Sequence, residues 1–244
     1  MARFVLVHGA FAGGWIWGPL AERLEAAGHQ VEAPDLPGAG DDQTALEEVR
    51  LEHYVARICE VLDAGTEPSI LVGNSMGGLV ITQAAAQRPE KVKRLIYVAA
   101  FLPADGQSLI ELTQLPEGAG DLVQATVIVS GDPPVGEVPE ETKRASNEYC
   151  TPEVSEWAVG KAGRQPIIPF TEPVRLNDEF ERIPRSYVIT TKDRFIPPPL
   201  QRRMVKDRNV TDVAELDTDH HPQLSRTEEL AGLLDERSRE RVAA

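Results

Sequence analysis

Cysteine is almost missing from this sequence. Only Cys59 and Cys150 occur, far apart and outside any Cys-x-x-Cys or Cys/His spacing, which argues against a disulfide framework and a zinc site. Free thiols in a reducing compartment are expected. Long apolar runs are missing as well. The first, Phe4 to Val7, stops at His8 and Gly9, too short for a signal-peptide core, and no run approaches the ~18 residues of a membrane span. A cytoplasmic protein is the expectation. Basic residues are scarce, with 25 Lys+Arg against 39 Asp+Glu and a formal charge of -14 spread along the chain. A surface of that sign repels phosphate backbones and anionic headgroups, so neither nucleic acid nor a membrane is an expected partner. A glycine-rich phosphate loop with a lysine is also lacking, which leaves no signature of a bound nucleotide.

What the chain does have is a core. A length of 244 residues with 41% hydrophobic and 26% charged residues is ordinary for a folded protein and fits one domain. Short apolar runs alternate with helical spacing. Phe4 to Val7 is followed by Leu20, Leu24 and Ala27 up to Gly28, and Val31 to Ala33 by Tyr54, Val55, Ile58, Cys59 and Leu62 up to Gly65. Ile70 to Val72 and Leu95 to Val98 flank a helix predicted from about Met76 to Arg88, where Pro89 ends it. This strand–helix alternation predicts an α/β fold with a mostly parallel sheet flanked by helices, because parallel neighbours need crossover connections.

The rhythm breaks after Leu102 and resumes near Tyr187 to Ile189. A helix after Pro199, a strand at Val213 to Leu216 and a last helix with Leu230, Leu233 and Leu234 then follow. The expected organisation is a core of 1–102 and 184–244 interrupted by a cap at 103–183. Trp157, Ile167, Ile168 and Phe170 supply apolar anchors for a packed insertion rather than a disordered linker.

Gly73-Asn74-Ser75-Met76-Gly77 lies between an apolar run and a helix, the context of a nucleophile elbow. Its glycines permit a tight strand-to-helix turn that exposes a serine hydroxyl above the sheet. A carboxylate and a histidine should follow in that order. Asp193 stands just past the strand ending at Thr190, and His220 and His221 just past the strand ending at Leu216. Sheet ends on one side are where parallel topology gathers active-site residues. His8, His29 and His53 precede the elbow, Asp132 and Asp105 fall in the insertion, and Asp217 and Asp219 are too near the histidines in sequence to hold the ring. Either His220 or His221 could be the base.

Several segments occur together and in order: Val7-His8-Gly9-Ala10-Phe11-Ala12-Gly13-Gly14-Trp15, Asp35-Leu36-Pro37-Gly38, Gly73 to Gly78, and Ala99-Ala100-Phe101-Leu102-Pro103. Thr191-Lys192-Asp193 with Ile196-Pro197, and Asp219-His220 with Leu224-Ser225, complete the set. The chain thereby resembles the α/β-hydrolases that include plant methylesterases, plant hydroxynitrile lyases and their bacterial esterase relatives. Around Cys150-Thr151-Pro152-Glu153 the match is looser. The resemblance implies that Ser75 is the nucleophile, His220 the base and Asp193 its orienting acid, with an oxyanion hole from the backbone N–H groups of Ala10 and Met76. It implies a serine esterase without metal or cofactor, acting on a small-molecule ester.

In the lyase relatives a threonine beside the first-strand histidine and a lysine after the catalytic histidine serve cyanohydrin cleavage. Here those positions are Gly9 and His221, which favours esterase over lyase, since a neutral ring is a poor substitute for a fixed cation. A non-catalytic ligand receptor of the same fold is the remaining alternative, and the intact Ser, Asp, His set argues against it. Phe11, Trp15, Trp157, Ile167, Ile168 and Phe170 are candidate walls of an apolar pocket, for neutral esters with aromatic or alicyclic acids. Oligomeric state is not specified; a homodimer is compatible with the sequence.

Overall fold

The computed structural model describes residues 1–239. Strand β1 (Arg3–Val7) leads through α1 (Gly18–Ala26) to β2 (Gln30–Glu32), and α2 (Leu51–Ala64) leads to β3 (Ser69–Ser75). After α3 (Gly77–Gln87) comes β4 (Val92–Ala100). The chain then leaves the sheet for α4 (Leu109–Thr113), α5 (Leu122–Thr126), β5 (Ile128–Ser130), β6 (Val135–Glu137), α6 (Glu140–Ala145) and α7 (Pro152–Lys161). That excursion closes with β7 (Gln165–Pro166), α8 (Ile168–Thr171) and α9 (Asp178–Glu181). The sheet resumes with β8 (Arg185–Thr190), α10 (Pro198–Asp207) and β9 (Asp212–Leu216), followed by α11 (Pro222–Ser225) and α12 (Thr227–Arg239).

The main sheet has the order β2-β1-β3-β4-β8-β9 and every pairing is parallel. Its central strands read as unbroken apolar runs because both faces are covered. Alternate residues of one strand enter different cores. Val5, Leu71, Tyr97 and Ile189 pack towards α2, α3 and α10, while Phe4, Ile70, Val98 and Val188 pack towards α1 and α12. Burying such side chains contributes roughly 1.5–3 kcal/mol each relative to leaving them exposed.

The excursion between β4 and β8 carries its own antiparallel sheet, β5-β6-β7. Side-chain caps define its short helices: Ser108 on α4, Asp121 on α5, Thr151 on α7 and Asn177 on α9. Leu109, Leu112, Phe170, Val174 and Phe180 from this stretch join the same core as Leu79 and Val80 of α3, so the insertion packs on the sheet layer. One irregularity lies beside Ser75. In the β3–β4 ladder Asn74 pairs with Val98 but Ser75 with Ala100, which leaves Ala99 unpaired in a bulge at φ 45°. Among the described residues no helix is long and apolar enough to cross a membrane, and no cluster of His, Cys, Asp and Glu could hold a metal ion.

Candidate active site

Ser75 ends β3 at φ 55°, with Met76 as the N-cap of α3 and Gly77 as its first residue. A positive φ is uncommon for a residue with a β-carbon. The turn tolerates it because its neighbours yield space: a β-carbon on Gly77 would collide with the Val7 carbonyl, and one on Gly78 with that of Phe101. The Phe101 N–H donates to the Ser75 carbonyl at 3.0 Å. α3 is thereby drawn tightly against β1 and β4, and Ser75 faces a cavity at the carboxyl ends of the strands.

Asp193, in the turn after β8, is 4% exposed. Its Oδ1 accepts from the backbone N–H groups of Phe195 (2.8 Å) and Ile196 (3.0 Å). Oδ2 accepts from Thr190 Oγ1 (2.9 Å), Gln201 Nε2 (3.1 Å) and His220 Nδ1 (2.8 Å). A carboxylate can only accept, so the proton of this last bond sits on Nδ1 and the His220 Nε2 lone pair is left for the cavity. Phe195 stacks on the His220 ring at 5.1 Å. Asn74, fully buried, donates from Nδ2 to the carbonyls of Val98 (2.9 Å) and His220 (3.2 Å) and accepts from Gln223. The histidine loop is thereby tied to the end of the strand that carries Ser75. Among the described residues no hydrogen bond joins the Ser75 hydroxyl to His220; both line the one cavity, and such bonds often tighten only around a bound substrate.

His221 does not take part in this pairing. Its Nδ1–H donates to Asn147 Oδ1 at 2.8 Å, an assignment fixed by Asn147 Nδ2 donating to the Lys143 carbonyl. Burial, and then the neighbouring His220, hold its pKa well below that of a free imidazole. Asp219 accepts from Tyr149 N and Ser225 Oγ, and Asp217 from Thr191 Oγ1. Neither carboxylate meets a histidine ring.

Ala10 and Met76 both line the cavity, and among the described residues neither backbone N–H has a protein acceptor. The Gly9–Ala10 peptide is oriented by His8, a buried ring whose Nε2 accepts from Leu36 N–H (3.1 Å) and whose Nδ1–H donates to the Gly9 carbonyl (2.8 Å). A trans peptide sets its N–H opposite its carbonyl, so holding the Gly9 oxygen turns the Ala10 N–H away from His8. Burial lowers the His8 pKa, opposed by the Gly9 bond and by Asp35, and the ring remains neutral in this role. Asp35 accepts from Gly14 N–H at 2.6 Å, which fixes the far end of the loop.

The cavity measures about 180 Å³. Of the candidate wall residues, Phe11, Trp15, Ile167 and Phe170 line it. Trp157 does not. α7 buries Ala158 and Val159 instead, leaving Trp157 41% exposed with its ring edge-on to Trp15 at 5.1 Å. Ile168 also lies outside the wall. Lys143 and Asp121 reach the lining but are engaged by protein, Lys143 Nζ by the Ala162 carbonyl and Asp121 by the N–H groups of Val123 and Gln124. Asn74, Thr190, Gln201 and Asn147, which hold the histidines and Asp193, carry no motif that singles them out in the sequence.

A model of the Alpha/beta hydrolase family matches residues 4–233. Salicylic acid-binding protein 2 of Nicotiana tabacum is 32% identical over 249 residues, covering 95% of each chain. Alpha-hydroxynitrile lyase of Arabidopsis thaliana is 31% identical over 243 residues, covering 93% of each. Among solved structures, a methylesterase protein from Arabidopsis superposes with a TM-score of 0.84 at 26% identity, over 97% of this chain and 98% of its own. A binding protein, a lyase and a methylesterase are all similar to this chain. The choice among them falls to individual residues.

Proposed function

We propose that this chain, which belongs to the alpha/beta hydrolase family, hydrolyses apolar carboxylic esters of modest size through an acyl-enzyme on Ser75. The observation that carries this reading is His220, held by buried Asp193 and sharing one apolar cavity with a serine at positive φ. Ser75 Oγ attacks the ester carbonyl while His220 Nε2 takes its proton; Asp193 keeps the ring in the required tautomer and stabilises the imidazolium. The oxyanion settles between the N–H groups of Ala10 and Met76, each such donor contributing about 3 kcal/mol to the transition state. The imidazolium then protonates the departing alcohol, and water attacks the acyl-serine with His220 again as base. Residues 103–183 act as a cap on the core of 1–102 and 184–244, supplying Phe170 and Ile167 to the pocket wall.

A small cavity whose charged lining groups are already engaged suits a neutral ester better than an anion. Two features weigh against cyanohydrin cleavage. A β-carbon on Gly9 would lie 2.7 Å from Ser75 Cβ, so the threonine of the lyases has no room. His221 is half-buried, with a pKa held well below that of a free imidazole, where they carry a lysine.

The test is nitrophenol release from short and medium p-nitrophenyl esters by the wild type and Ser75→Ala, with a serine-directed phosphonate alongside. Turnover by the wild type alone, with the label on Ser75, supports the esterase. Cyanide release from an aromatic cyanohydrin at a rate matching ester turnover would overturn it in favour of the lyase. No turnover and no label would favour a binding protein.

A further inference from the structure

The oxyanion loop makes a turn that its own sequence does not favour. Phe11 sits at φ 62°, a region bulky residues rarely adopt without outside support. Support comes from the inserted segment. The Phe11 N–H donates to Gln165 Oε1 at 3.2 Å, and its carbonyl accepts from the Gly163 N–H at 2.8 Å. Gln165 is 3% exposed and does not line the cavity. The two hydrogens of its Nε2 are shared among Tyr54 Oη (3.0 Å), the Pro166 carbonyl (3.0 Å) and Met76 Sδ (3.6 Å). One carboxamide therefore bridges the loop containing Ala10, helix α2 and the residue after the nucleophile.

We infer that Gly163 and Gln165 are positioning residues of the oxyanion site, clamping both polar groups of Phe11 so that the adjacent Ala10 N–H stays aimed beside Ser75. The inference rests on the esterase reading above. Residue 11 cannot relax to a negative φ while both bonds persist, and the insertion that walls the pocket also completes the hole. Because Gln165 touches no substrate, its removal acts on the transition state rather than on binding.

Gln165→Met removes the acceptor at similar volume. Gly163→Pro removes the other donor, and Ala162, at φ -68° and ψ 126°, already has the backbone of a residue preceding proline; Gly163→Ala is its control. For each, kcat and KM on a p-nitrophenyl ester are measured with inhibition by an aryl trifluoromethyl ketone, which forms an oxyanion on Ser75, and by the corresponding alcohol, which does not. The expected result for Gln165→Met and Gly163→Pro is a kcat lower by about 10- to 100-fold, as for misplaced catalytic groups, with KM within about 2-fold. The ketone should weaken by the same factor as kcat while the alcohol and Gly163→Ala stay unchanged. Variants that keep kcat and ketone affinity would overturn the inference, as would losses shared by the alcohol or tracking loss of fold in both. A wild type that neither turns over nor labels at Ser75 sinks the esterase reading and this inference with it; an active wild type with indifferent variants sinks the clamp alone.

Discussion

Asp193 accepts five hydrogen bonds, from two backbone and three side-chain donors, whereas the Ser75 hydroxyl receives none among the described residues and owes its place to backbone shape and to glycines with no spare volume. The histidine–carboxylate half of the candidate site is held by polar redundancy and the serine half by steric exclusion. A redundant network should tolerate the loss of one member, because the remaining bonds still fix the carboxylate. A packed turn should tolerate no added atom, because nothing nearby can give way.

The two ends of that contrast can be broken separately. On the esterase proposal the largest effect is expected from Ser75→Ala, a fall in ester turnover on the order of 10⁶-fold by steady-state kinetics, the loss seen when a serine hydrolase is stripped of its nucleophile. Asp193→Asn keeps the shape but offers His220 a donor in place of an acceptor, and should cost about 10⁴-fold in kcat. Gly9→Ala sharpens the steric side. Its methyl would lie 2.7 Å from Ser75 Cβ, and displacing the serine should lower kcat by about 10²-fold. Gln201→Leu removes one of the five bonds to Asp193 and should cost about 10-fold or less. If Gln201→Leu proves costlier than Gly9→Ala, the division between redundancy and exclusion is wrong.

The smallest effect is on stability. His8 and His221 have folded pKa values below that of free imidazole, so from about pH 6.5 down to those lowered values the unfolded chain binds protons the folded chain refuses. The stabilisation is fully present above about pH 6.5 and is lost as pH falls, by up to about 1.4 kcal/mol per unit for each ring. Urea midpoints at pH 7.5 and 5.5 measure it. A midpoint unmoved over that interval, or His8→Gln showing the same slope as the wild type, would contradict it.

Much of the fold was legible because parallel strands buried on both faces announce themselves as apolar runs, and the strand-to-helix turn at Ser75 because it demands glycines at fixed offsets. Asp193 and His220 could be found because chain order and strand ends restrict where partners stand. The insertion obeys neither rule. Gln165 lies in a two-residue strand too short for periodicity, and its partner Phe11 is remote in sequence, so its function exists only in three dimensions. Trp157 was misread for the converse reason: size and apolarity suggest a wall, but helix phase turns it outward. Asn74 occupies the variable position of the elbow, where the pattern carries no information, yet it ties the His220 backbone to β3.

The unpaired Ala99 has a consequence for the shape of the pocket. Side chains alternate along a strand, so one residue of slack decides which of those that follow look inward. Phe101 faces the cavity while Leu102 goes to the core, its N–H against Met204 Sδ. A chain one residue shorter at this point would exchange the two, setting a leucine where the aromatic ring now stands. The make-up of the cavity wall is thus partly a matter of counting residues along β4, and a deletion there would alter it where no substitution in the cavity had been made.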